Sequence, residues 1–226
     1  MWPCGAFVFN QPVLAPLELL QIQAGTLFRL DATGRLVCVN EPGDRPAPRV
    51  FVGSASTGER VVHVRSDVAE SLAESLKRCA DEASLLACLG SAVTLHRGPT
   101  FVFDRRVEAP QEVVSIADPT VLHPALASWA VDVQRGTPLF GVMQEGQVVS
   151  VCYSSREGHR ACEAGVETVA EFRGRGLGRF AVLAWAASVQ RSGRIALYST
   201  THENLASRRL AAALGLRYFA EDWSFE

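Results

Sequence analysis

Apolar positions along the chain recur with two periods, and the changes of period mark the elements. Val68, Leu72, Leu76 and Cys79 recur at helical spacing behind Ser66-Asp67, a pair able to cap a helix start. They predict a helix from Val68 to about Asp81. Leu17 to Ile22 and Leu85 to Leu89 read as shorter helical pieces. Thr26–Asp31 and Arg35–Asn40 flank the turn Ala32-Thr33-Gly34 and predict a hairpin. The stretch from Asn40 to Pro48 is rich in residues that break regular structure and reads as a loop. Strands follow at Arg49–Gly53 and Arg60–Arg65. Arg97-Gly98-Pro99-Thr100 reads as a lead into the short apolar run Phe101–Phe103. Residues before Pro16 carry no clear pattern.

Near Glu108-Ala109-Pro110 the character changes. The division expected there is an N-terminal α+β module of residues 1–108, of unassigned role, and a second domain of residues 109–226. Val113–Ile116 predicts a strand. Asp118-Pro119 supplies a cap and a first-turn proline for a helix running to about Val133, and Pro124 either distorts its first turn or makes it begin later. Three strands then read as an antiparallel meander: Pro138–Gln144, Gln147–Ser155 and His159–Ala170. A glycine-rich turn leads into an apolar helix ending about Ser192. A strand (Arg194–Ser199), a helix (about Asn204–Leu214, with Gly215 just past its end) and a last strand from Leu216 close the chain.

Composition adds limits. The chain has 226 residues, 48% of them hydrophobic, and a formal net charge of −2, which suits a globular core and gives no reason to expect nucleic acid. Its six cysteines form no Cys-x-x-Cys pair and several lie in apolar runs, so buried free thiols are expected rather than a disulfide framework or metal site. The histidines lie apart, which argues against a metal. No apolar run is long enough to span a bilayer and no secretory pattern opens the sequence, so a cytoplasmic protein that does not associate with membranes is expected.

The chemistry concentrates at Glu163–Arg179. Glycine lets a backbone bend tightly and approach a ligand, and a helix start offers unpaired N–H groups and a positive dipole end. With Arg173, Arg175 and Arg179 in the same turn, the stretch reads as a seat for a phosphorylated ligand. A Walker A loop is excluded by the missing lysine. A dinucleotide fingerprint is excluded by glycine spacing and by the meander that precedes the turn. A ligand-free turn would leave the three arginines repelling one another.

The motif Arg173-x-x-Gly176-x-Gly178, followed by Asn204-x-x-Ser207 and Leu210-x-x-x-Leu214-Gly215-Leu216, resembles the GNAT superfamily of acyl-CoA-dependent N-acyltransferases from about Glu112 onward. The resemblance implies an α+β fold with a mixed sheet, here with the additional N-terminal module. It implies acetyl-CoA as cosubstrate, no metal, and acetyl transfer to a primary amine on a small molecule or peptide. It places the coenzyme's pyrophosphate on Arg173, Gly174, Arg175, Gly176, Leu177, Gly178 and Arg179. Its pantetheine arm would run along Val166, Thr168 and Val169, with Asn204 and Ser207 alongside; Asn204 reads equally well as a helix cap. Main-chain N–H groups of Val166 to Thr168 are expected to polarise the thioester carbonyl. Strand alternation puts Glu163 and Glu167 on one face as candidate general bases, with Glu167 preferred as the nearer to the turn. The tyrosine that serves many family members as acid falls at Ala211. Tyr198, Ser207, His202 or water are the open replacements. A coenzyme-binding protein without turnover is the alternative, and the oligomeric state stays open.

Overall fold

The computed structural model describes residues 13–90 and 93–226. Pro16, whose missing N–H costs nothing at a helix start, opens α1 (Pro16–Leu27). The helix runs on past the expected Ile22 because Gln23, Ala24 and Thr26 are buried along it. The hairpin β1 (Phe28–Leu30) and β2 (Leu36–Val39) is antiparallel as expected. After β3 (Val50–Ala55) and β4 (Arg60–Val64) comes α2 (Glu70–Arg78). Ser66-Asp67 does not cap it; Asp67 instead accepts from Arg65 Nε at 2.8 Å. The capping signal belongs to α3 (Glu82–Leu89), where Asp81 Oδ1 accepts from Ser84 N at 2.8 Å.

β5 (Leu95–Val102) begins well before Phe101 and takes in Gly98-Pro99. In the second half, β6 (Val113–Ser115) leads to two 3₁₀ turns, Pro119–Val121 and Pro124–Trp129, and the short α4 (Ala130–Gln134). The single helix expected over this stretch is broken at Pro124, which cannot donate within a continuous helix. The remaining elements follow the expected order: β7 (Phe140–Gln144), β8 (Gln147–Glu157), β9 (Ala161–Thr168), α5 (Leu177–Arg191), β10 (Ile195–Ser199), α6 (Leu205–Ala213) and β11 (Arg217–Phe225).

Nine strands form one sheet in the order β4-β3-β11-β5-β10-β9-β8-β7-β6. β9 and β10 run parallel; every other neighbouring pair is antiparallel. This is the mixed sheet expected for the fold class. Strands from both sides of residue 108 share it, and β5 lies between β10 and β11. On one face, α5 and α6 cover Cys152, Cys162 and Tyr198 with Trp185 and Ala211. On the other, Leu19 and Leu20 of α1 pack on Leu197 and Phe219, while Leu126 and Val133 pack on Val149 and Val151. Cys38, Cys79, Cys152 and Cys162 are buried free thiols, but Cys88 is exposed, its Sγ 3.7 Å from that of Cys79. Cys4 lies outside the described residues. None of the described helices is long and apolar enough to cross a membrane.

Candidate functional site

The parallel pairing of β9 with β10 ends at Leu197↔Glu163, whereas β9 stays paired with β8 as far as Thr168. The two strands therefore part beyond Glu163, and the β10-facing edge of residues 164–168 has no strand beside it. A strand edge of this kind offers backbone donors and acceptors to an extended ligand. The gap opens into a cleft of about 690 Å³ bounded by β9, the glycine turn and α6, with Val166, Thr168, Tyr198, Asn204 and Ser207 on its walls.

At the mouth of the cleft the chain turns from β9 into α5 through a 3₁₀ turn, Ala170–Phe172. Gly174 and Gly176 have φ of +75° and +77°, a region where a side chain costs about 1–2 kcal/mol. A Cβ at either would meet nothing within 4 Å, so the backbone there faces open space. Gly178 plays a different part. A Cβ on it would sit 3.3 Å from Thr168 Oγ1 and 3.6 Å from Val166 Cγ2, so the missing side chain lets α5 lie close on β9.

Arg173 N donates to Ala170 O and Arg179 N to Gly176 O, at 3.2 and 3.1 Å. Among the described residues no acceptor meets the N–H groups of Gly174 to Gly178, with Arg175 and Leu177 between the glycines. Arg173 Nε reaches back to Thr168 O at 2.9 Å, and the Arg175 guanidinium lies 5.0 Å from the Phe172 ring. No carboxylate among the described residues pairs with Arg173, Arg175, Arg179 or the neighbouring Arg209. Free amides, a helix start and four unneutralised guanidinium groups make a cradle that fits a pyrophosphate. Val169 contributes no donor, since it is buried with its N–H bonded to Val149 O at 2.9 Å.

On the α6 side, Asn204 Oδ1 accepts from Ser207 N at 3.0 Å and caps the helix. The Ser207 and Tyr198 hydroxyls are 2.7 Å apart. Ala211 is buried and offers no hydroxyl, but the Tyr198 ring reaches the same core from β10. Burial pushes the Tyr198 phenol up to about 12, so it holds its proton at neutral pH. His202 sits outside this group, 3.3 Å from Glu221.

The two glutamates share a face of β9, as alternation requires, but not an environment. Glu167 is half-buried and accepts from Trp129 Nε1 at 2.7 Å. Glu163 is 3% exposed, and Ser199 lies close to its carboxyl without a well-formed hydrogen bond to either oxygen. Burial pushes its carboxyl up to about 7; Ser199 and Arg156 oppose the rise and the charge of Asp222 adds to it. Asp222 is half-buried; desolvation pushes it up to about 7 as well, with Gln23 Nε2 of α1 donating to it at 3.0 Å. Sequence reasoning missed Trp129, Tyr153, Asp222 and Gln23. Trp129 falls in the segment where one helix was expected, and Gln23 lies just beyond the expected end of another. Asp222 stands next to Glu221 in the mixed stretch Phe219–Phe225, and nothing in the sequence singles it out. A second hollow, about 750 Å³, lies between β2 and Arg65; there Arg29 and Arg65 are already paired with Asp44 and Asp67. The described residues hold no cluster of three or more metal-ligating side chains.

Residues 136–223 match the sequence profile of the GNAT acetyltransferase family. Among solved structures, a GNAT-family protein from Novosphingobium aromaticivorans is 21% identical with a TM-score of 0.49, covering 58% of this chain and 64% of its own. A GNAT-family acetyltransferase from Colwellia psychrerythraea is 12% identical with a TM-score of 0.47, covering 95% of this chain and 98% of its own. YncA from Salmonella typhimurium, solved with acetyl-CoA, is 20% identical with a TM-score of 0.34, covering 45% of this chain and 70% of its own. The chain thus spans less than two thirds of the Novosphingobium protein. No curated protein matches it.

Proposed function

We propose, for a chain whose residues 136–223 form a GNAT acetyltransferase domain, transfer of an acetyl group from acetyl-CoA to a primary amine by direct attack. The observation that carries this reading is the parting of β9 from β10 beside the cradle of Gly174 and Gly176. GNAT acetyltransferases use acetyl-CoA and act on small-molecule or peptide amines. The coenzyme supplies an activated acyl thioester. Everything else is asked of this chain's own residues.

The N–H groups of Gly174 to Gly178 and the guanidinium groups of Arg173, Arg175 and Arg179 hold the pyrophosphate. The open edge of β9 at Val166 to Thr168 aligns the pantetheine arm as an added strand, and its N–H groups stabilise the oxyanion. Asn204 and Ser207 bound the arm from α6.

An ammonium must lose a proton before it attacks. Glu163 is the base in this reading, in place of Glu167: a carboxyl near 7 is poised between its two forms at neutral pH, and it stands where the strands part. Glu167, tied to Trp129, is left to position the amine. The departing thiolate takes its proton from Tyr198, a residue on the cleft wall whose hydroxyl is hydrogen-bonded with that of Ser207.

Thiol release from acetyl-CoA over a panel of amines tests the reading. Turnover with at least one amine, falling about a hundredfold or more in Glu163→Gln, is expected. The vacant tyrosine position at Ala211 favours a second reading, a coenzyme-binding protein without turnover. A thermal shift with acetyl-CoA and no thiol release from any amine would select it.

A further inference from the structure

Resting on the acyl-transfer reading of this cleft, we propose that the face of β9 bearing Glu163 and Glu167 is the acceptor seat. Its chemistry selects an alkylammonium that carries no carboxylate of its own. Gly165 lies between the two glutamates, and the Tyr153 ring fills the space over it: a Cβ there would be 2.3 Å from Tyr153 Cε1. Trp129 stands edge-on to that ring, with centroids 4.5 Å apart. Its Nε1 fixes Glu167 Oε2 at 2.7 Å, and no donor among the described residues meets Oε1. An aromatic pair is thus flanked at both ends by carboxyl groups.

The second, independent sign of a ligand is Glu163 itself. It is 3% exposed, and Ser199 lies close to its carboxyl without a well-formed hydrogen bond to either oxygen, so a further donor would be stabilising. An ammonium supplies such donors, and the methylenes behind it lie against the rings of Tyr153 and Trp129.

The surrounding charge sets the specificity. Burial pushes the Tyr153 phenol up; beside it Arg156 favours ionisation, and Asp132 and Glu41 oppose it. Arg156 and Arg45 are both bound to Glu41, at 2.8 Å each. With those two guanidinium groups engaged, the carboxyl groups of Glu167, Glu163 and Asp132 give the seat its acidic character. A compact amine or diamine is attracted, whereas an amino acid brings a carboxylate into an acidic site with no unpaired cation to receive it.

Calorimetric titration of the acetyl-CoA-saturated protein with n-butylamine, putrescine, 4-aminobutyrate and n-butanol tests this. The two amines should bind saturably, and 4-aminobutyrate and butanol about tenfold more weakly or not at all. Glu167→Gln, which keeps an acceptor for Trp129, should weaken butylamine about tenfold. Acetyl-CoA binding, measured first on each protein, reports that the fold and the coenzyme seat are intact. Equal affinity for 4-aminobutyrate and butylamine, an unchanged butylamine affinity in Glu167→Gln, or no amine binding to protein that binds acetyl-CoA would each overturn the proposal. Failure to bind acetyl-CoA would overturn the acyltransferase reading beneath it.

Discussion

A glutamate in the middle of a strand has an ordinary carboxyl until a sheet and a helix close over it. Alternation along β9 was enough to pair Glu163 with Glu167 on one face. It could not tell them apart, because what separates them is α1 above one and Trp129 beside the other, both distant in sequence. The consequence is measurable. With its folded pKa raised to about 7, Glu163 holds a proton in the native state that it has lost in the unfolded chain over roughly pH 4.5 to 7. This contribution to stability is full at or below the unfolded value and is lost as pH rises through the folded one. Asp222, raised for the same reason, acts in the same direction. Glu163→Gln should therefore stabilise the protein at pH 8 by up to about 3 kcal/mol relative to pH 5, measured by urea unfolding at both values. A variant whose pH dependence matches the wild type would mean the carboxyl is not buried in its acidic form.

Among the elements, those with a strong period or a motif were legible and those fixed by distant contacts were not. The meander β7 to β9, the helix α5 behind its glycine turn and the cap at Asn204 all stand where the pattern put them. The sequence reads Arg97-Gly98-Pro99-Thr100 only as a lead into Phe101–Phe103, whereas β5 runs through it. The reason for that glycine lies a hundred residues away: a Cβ on Gly98 would come within 1.9 Å of the Thr200 carbonyl oxygen. Gly98→Ala should thus cost about 2–3 kcal/mol in thermal or denaturant unfolding, more than an alanine in an ordinary strand. Near-neutral behaviour would contradict the close approach. For the segment from Asp118 to Val133 the sequence predicts one helix, its first turn distorted or its start delayed. Pro124 instead splits it into 3₁₀ turns, and that break lets Trp129 face Glu167.

At the scale of the whole molecule, the N-terminal module is tied into the sheet that carries the site. β5 pairs with both β10 and β11, and α1 covers the face where Asp222 lies. We expect residues 109–226 alone, with β5 gone from between two of their strands, to show no cooperative unfolding by circular dichroism. A cooperative transition in that fragment would make the module dispensable for the fold. Within the complete chain, the central claim is that the turn at Gly174 and Gly176 seats the coenzyme. Titration of acetyl-CoA into the wild type and into Gly176→Glu, followed by calorimetry, tests it most directly. Saturable one-to-one binding by the wild type, lost when a side chain and a negative charge occupy the cradle, is the predicted result; no binding by the wild type, or equal binding by both proteins, would contradict it.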